Sequence, residues 1–417
     1  MKTALVLGGG GSRGAYEIGV WKALNELNIH ADIVTGTSIG ALNGCLYAQG
    51  DYQAAYDLWY HIQATDVTSS GLELAFSMDY FRTQKSKLAQ VFKEYLSEKG
   101  ADITPLKNMV HRLLDYDKLM ASPIQYGIVM TCFPSLERLE ITKDGMPRDL
   151  IEKQIIASAS CFPAFPMTEI NGQFYIDGGY CDNVPVDLAI RLGAKRLIVV
   201  DLSDDKPTHP QISQFPNITL IKPSRSLGTI LSFKKEQVHA NIQLGYIDAL
   251  KALGSLQGFT YAFKPEATDQ PFFMKQLLIN NAALSLSKGF DQNKYVELIT
   301  ENTDGKKLNE IDFDYRICEI LADLLGLKHE EVYTLTSMQT IFQNYYSDKH
   351  KFRYLEIFKQ ITNLKKENYN NENRSYLTGC IYHQIRDSDA PFDELPMFSY
   401  IFPKESLCAL YLYLLFN

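Results

Sequence analysis

Paired cysteines are missing from this chain. Its seven cysteines in 417 residues are an odd number, widely spaced, with no CxxC pair. That pattern argues against a disulfide framework or a zinc site and favours a reducing compartment. Long apolar runs are also missing. The longest, at 407–416, falls far short of the roughly 20 residues needed to cross a bilayer. The opening residues, MKTALVLGGGG, lack the apolar core and cleavage site of a secretory leader and pass from a short apolar run straight into glycines. A basic surplus is absent too: 41 basic residues stand against 49 acidic ones, for a net charge of −8. This argues against a nucleic-acid partner. No repeat of solenoid or propeller period is visible, and no cluster of metal ligands. The expectation is a cytoplasmic protein with no metal and no cofactor, with peripheral contact to a membrane left open.

What is present is the balance of a folded protein. Hydrophobic residues make up 46% and charged residues 22%, enough apolar surface to offset the ordering of the chain. Strand-like runs at 3–7, 32–35, 126–131, 139–141, 174–176, 197–201 and 218–221 alternate with helical spacing. The helical stretches are 15–27, 39–48, 52–63, 85–97, 105–115, 149–159, 185–192 and 233–254. Such alternation predicts an α/β sandwich around a mainly parallel sheet. From 266 the character changes, with 23 of the 49 aromatic residues in 266–417. Helical periodicity at 317–327, 338–346 and 352–365 predicts a mostly helical C-terminal region, with 365–374 as an exposed loop. The apolar tail at 407–416 suits either a lipid interface or a packed helix. The expected division is therefore 1–265 and 266–417.

Three glycine turns carry the chemistry. The first, GGGGSRG at 8–14, contains G-x-G-x-x-G through Gly9, Gly11 and Gly14. Between a strand and a helix this fits a phosphate cradle, but the acidic residue expected at the end of the second strand is absent. The second, GTSIG at 36–40, matches the nucleophile elbow that exposes a serine on a strand-to-helix turn. It equally matches a glycine-rich turn whose Ser38 caps the next helix. Only one strand–helix unit precedes Ser38, too little chain for the sheet of an ordinary α/β-hydrolase with its Ser–Asp–His triad. In the third, an apolar strand delivers Asp177 into a double-glycine turn (DGG at 177–179), followed by NVPV at 183–186. Alone it reads as a D-G turn. Upstream, ASASCFPAFP at 157–166 reads as a helix end entering a proline-bounded loop.

Together and in this order, the glycine loop with its arginine, GTSIG and DGG resemble the patatin-like phospholipase family over about residues 1–265. The ASASCFPAFP and NVPV segments are similar to family segments as well. The resemblance implies a three-layer α/β/α sandwich and a Ser–Asp dyad without a catalytic histidine. Ser38 would be the nucleophile and Asp177 the base. Backbone amides of Gly9, Gly10 and Gly11 would form the oxyanion hole, and Arg13 would support the loop or a head group. The implied activity is hydrolysis of fatty-acyl esters of phospholipids or lysophospholipids through an acyl-enzyme. Two alternatives stand beside it: a nucleotide-binding protein using the glycine loop, and a catalytically silent lipid-binding protein. Cys161 and Cys181 lie near the third turn and receive no role.

Overall fold

The computed structural model describes residues 1–71, 101–203, 215–280, 292–301, 303, 307–352, 370–389, 392–393 and 395–417. The chain forms two compact units, Met1–Leu253 and Gly254–Asn417. Residues 254–265 therefore belong with the second unit rather than the first. The reason is packing: Tyr261 and Phe263 are fully buried in the second unit's core.

The first unit is built on an eight-stranded sheet among the described residues. Its strands are β1 (Thr3–Leu7), β2 (Ile33–Thr37), β3 (Gln125–Phe133), β4 (Arg138–Thr142), β5 (Thr168–Ile170), β6 (Gln173–Asp177), β7 (Arg196–Val200) and β8 (Ile218–Ile221). The order is β5-β6-β3-β2-β1-β7-β8, with β4 also paired to β3. The five strands from β3 to β8 along that path run parallel, whereas β4, β5 and β6 pair antiparallel at one end. Every residue of β1 and β2 is buried, as expected for parallel strands covered on both faces.

The helices of this unit are α1 (Ala15–Glu26), α2 (Ile39–Gln49), α3 (Tyr52–His61), α4 (Thr104–Leu113), α5 (Tyr116–Ala121), α6 (Ile151–Ser158), α7 (Val186–Arg191) and α8 (Lys235–Ala252). Helix α2 covers one face of the sheet, where Gly44 lies over Val34, Tyr126 and Leu7. Helix α7 covers the other, where Val186 and Ala189 pack with Ala4, Val6, Ile33, Leu197 and Val199. The result is the expected three-layer α/β/α sandwich. Strand β5 and helix α5 are additions to the sequence reading, and the helix expected at 85–97 lies outside the described residues.

The second unit is mostly helical: α9 (Phe273–Ile279), α10 (Gln292–Thr300), α11 (Glu310–Leu325), α12 (Leu335–Tyr346), α13 (Asn371–Arg386), α14 (Leu395–Ile401) and α15 (Pro403–Phe416), with short strands β9 (Ala262–Phe263) and β10 (Val332–Tyr333). Two expectations change here. Asn371 to Arg374 are not loop but the first turn of α13, because the Asn370 side chain accepts the Asn373 N–H at 2.9 Å and caps the helix; residues 365–369 lie outside the described residues, as do 353–365 of the helix expected there. The apolar tail is α15, and Leu407 to Leu412 are fully buried in this unit's core. Side chains spent on that core are not available to a lipid interface. Among the described residues no helix is long and apolar enough to cross a membrane.

Candidate active site

The site forms at the ends of β1, β2 and β6. Strand β2 ends at Thr37, and the turn into α2 places Ser38 at φ 56°, ψ −124°, a conformation that side-chain-bearing residues rarely adopt. The turn is tight enough that a Cβ on Gly36 would lie 2.1 Å from the Gly40 carbonyl oxygen. Strand β6 ends at Asp177, which is 1% exposed. The Ser38 hydroxyl donates to Asp177 Oδ2 at 2.6 Å. The other oxygen, Oδ1, accepts the Gly179 N–H at 2.7 Å. These two residues are 139 positions apart in sequence.

One short segment at the end of α6 touches both. The Ser158 hydroxyl accepts the Ser38 N–H at 3.0 Å and donates to the Val129 carbonyl at 2.7 Å. The Ser160 carbonyl accepts the Asp177 N–H at 2.8 Å. Thr131 on β3 adds a hydroxyl bond to the Asp177 carbonyl at 2.8 Å. The backbones carrying the hydroxyl and the carboxylate are thus fixed by neighbouring residues of one loop and one strand.

The glycine loop leaves β1 and enters a 3-10 turn, Gly11–Gly14, that leads into α1. The Gly10 and Gly11 N–H groups have no hydrogen-bond partner among the described residues. Gly9 differs from the expectation: its N–H donates to the Asn183 carbonyl at 3.0 Å, so it is not available to an oxyanion. Gly11 adopts φ +57°, and a Cβ there would lie 2.0 Å from the Ile230 carbonyl oxygen. The Arg13 guanidinium donates to the carbonyls of Gly228 at 2.8 Å and Leu202 at 3.1 Å, bracing the loop against two others. Helix α2 starts at Ile39, which lines the site's cavity, and the dipole at its N-terminus favours negative charge there.

A cavity of about 590 Å³ joins these parts. Gly9, Gly10, Gly11, Arg13, Ser38 and Asp177 all line it. Apolar side chains, including Ile39, Ile62, Val67, Leu106, Met109 and Phe165, form much of its wall, with Ser203, Ser226 and Thr229 among the polar lining residues. No histidine is among its described lining residues. Cys161 lines it as well, but burial, and after it the Asp177 charge, push its thiol well above the ordinary range, which disfavours the reactive thiolate. Burial likewise raises the Cys181 thiol. Behind the loop, Glu17 is buried and pushed up to about 8, chiefly by desolvation. It accepts from Asn43 at 2.7 Å, and Asn43 in turn accepts from Trp59.

Sequence reasoning gave Ser158 and Asn183 no role. Both lie in segments singled out for other reasons, ASASCFPAFP and NVPV, but nothing local marks a hydroxyl or amide as bonding to a backbone more than a hundred residues away.

Residues 5–190 match the family described as patatin-like phospholipase. That span includes Ser38, Asp177 and the whole glycine loop. The chain is 29% identical over 205 residues to patatin-like phospholipase domain-containing protein 6 of Homo sapiens, covering 49% of this chain and 14% of that protein. It is 28% identical over 219 residues to lysophospholipase NTE1 of Yarrowia lipolytica, covering 49% of this chain and 13% of that protein. Among solved structures, VipD from Legionella pneumophila aligns with a TM-score of 0.41 and 15% identity, over 100% of this chain and 91% of that one. Residues 5–190 are therefore similar to a patatin-like phospholipase domain. The chain spans about a seventh of the length of the curated relatives it matches.

Proposed function

We propose that the protein is a serine acyl hydrolase that cleaves fatty-acyl esters of phospholipids or lysophospholipids through a Ser38–Asp177 dyad. The observation that carries this reading is the 2.6 Å bond from the Ser38 hydroxyl to a buried carboxylate, at the wall of a largely apolar cavity. The names of the matched family and relatives support the lipid substrate. All the residues assigned to the chemistry fall in the first unit, which we read as the acyl-hydrolase domain; the second unit takes no part in the bond-breaking steps.

Asp177 accepts the Ser38 proton as Oγ attacks the ester carbonyl carbon. The carbonyl oxygen becomes an oxyanion held by the Gly10 and Gly11 amides, a type of stabilisation worth about 2.7–4 kcal/mol per donor. Collapse expels the glycerol-side alcohol, which takes the proton back from Asp177 and leaves Ser38 acylated. Asp177 then accepts a proton from water as the water attacks the acyl-enzyme. The second tetrahedral species releases the fatty acid, and the proton returns to Ser38. A carboxylate is a weak base, with an ordinary pKa of about 3.9, so its direct hydrogen bond to Ser38 is what makes it competent. The apolar wall takes the acyl chain, and Arg13 braces the loop that supplies the amides.

The test is release of fatty acid from lysophosphatidylcholine and from a short-chain ester by the full chain. Ser38→Ala and Asp177→Asn should each abolish both activities while the circular dichroism spectrum is unchanged. A histidine variant as inactive as Ser38→Ala would replace the dyad by a triad, and activity surviving in Ser38→Ala would overturn the reading.

A further inference from the structure

Asn183 holds Gly9 from two sides. Its main-chain carbonyl accepts the Gly9 N–H at 3.0 Å, and its side-chain Nδ2 donates to the Gly9 carbonyl at 3.2 Å. The amide lies so close that a Cβ at position 9 would stand 2.5 Å from Asn183 Oδ1. In a trans peptide the C=O and N–H of one unit point in opposite directions. Fixing the Gly9 carbonyl on Asn183 therefore turns the Gly10 N–H to the other side of the loop, and Gly10 lines the cavity. The next unit is held similarly: the Gly10 carbonyl accepts the Arg13 N–H at 3.2 Å, and the Gly11 N–H is left without a partner among the described residues. Glycine peptides have no Cβ to resist rotation, so their orientation depends on such bonds.

The side chain also carries an unfavourable feature. Asn183 Oδ1 is buried with no partner among the described residues, an arrangement that costs stability and that an apolar side chain would avoid. What the amide supplies in exchange is the donor to the Gly9 carbonyl.

We infer that Asn183 is a positioning residue for the oxyanion-binding amides: it keeps the Gly9–Gly10 peptide turned so that the Gly10 N–H faces the reacting carbonyl. The inference rests on the hydrolase reading above and adds a residue to it. Asn183 itself lines the cavity, but in this role its bonds run to Gly9 and not to Ser38. It acts through Gly9, 174 residues earlier.

Asn183→Asp is the decisive variant in the full chain, since it keeps the shape and removes the donor. With a short soluble ester, kcat should fall about 10²-fold or more, the range for loss of one oxyanion donor, while KM stays within about threefold. A crystal structure of the variant should place the Gly9–Gly10 peptide in the flipped orientation. If kcat stays near wild type, or the peptide keeps its orientation, Asn183 does not position the loop and the inference is overturned, with the hydrolase reading intact. If the wild-type chain hydrolyses no ester, the hydrolase reading fails instead; the peptide orientation in the variant crystal then still decides for or against the role of Asn183. Asn183→Ala, read by the same two measurements, serves if the aspartate variant does not fold.

Discussion

Ser158 lends its hydroxyl to the backbone of Ser38. It accepts the Ser38 N–H and donates its own O–H to the Val129 carbonyl, so one buried side chain bonds two main-chain groups beside a strained turn. Ser158→Ala removes the bond to the Ser38 N–H, and an unsatisfied buried group costs about 1–3 kcal/mol. Urea denaturation should register a loss of that order. Because the elbow also loses its hold, kcat should fall more than the stability change alone accounts for at temperatures where the variant stays folded.

The glycine loop separates two kinds of glycine. Gly10 has φ 177°, outside the left-handed region, and a Cβ on it would meet the movable Leu202 side chain at 2.8 Å. Gly10→Ala should therefore fold normally; under the proposed mechanism the added methyl shifts an N–H that acts on the transition state, so kcat should fall with little change in KM. Gly11→Ala meets the Ile230 backbone at 2.0 Å in a left-handed conformation and should lower the melting temperature as well. Steady-state kinetics paired with thermal melts distinguish the two.

Much of this arrangement was legible in the sequence. Strands β1 and β7 are continuous apolar runs ending in polar or glycine turns, the signature of strands buried on both faces. The first two glycine turns fall at the ends of parallel strands, β1 and β2, and the third at the end of β6, which pairs antiparallel with β3. What was missed has physical reasons. Strand β5 is only three residues long, although the Asn171-Gly172 pair after it, with φ values of 52° and 82°, is the two-residue hairpin turn that should have announced it. Neighbouring glycines look alike in sequence, so nothing local distinguished Gly9, whose N–H is taken by Asn183, from Gly10 and Gly11. The run around Asn371 looked like loop because its residues are polar, yet a side-chain cap and the buried Leu377, Ile381 and Ile385 beyond it make it a helix.

Glu17 gives the fold a pH dependence. Its carboxyl is pushed from its ordinary 4.5 to about 8 by burial, so the folded state holds this proton more tightly than the unfolded chain does. Its stabilising effect is complete below about 4.5 and is lost as pH rises through about 8. Chemical denaturation should find the wild type less stable at pH 9 than at pH 6, by a few kcal/mol from this group at about 1.4 kcal/mol per pH unit. Glu17→Gln should flatten that slope. An unchanged slope would remove Glu17 as its source.

The tail helix α15 is a core element. Leu410 is fully buried, so Leu410→Ala should cost about 2–5 kcal/mol by transfer and cavity formation. The loss should appear in denaturation of the full chain without any lipid present. A variant as stable as wild type but weaker on vesicles would instead assign this residue to a lipid surface.

The most direct test of the central claim is labelling of the full chain with a fluorophosphonate, followed by mass spectrometric mapping of the modified residue. The account predicts a single adduct on Ser38, formed with release of fluoride, and its loss or strong slowing in Asp177→Asn. Modification at another residue, or none at all in a chain that still hydrolyses ester, would contradict it.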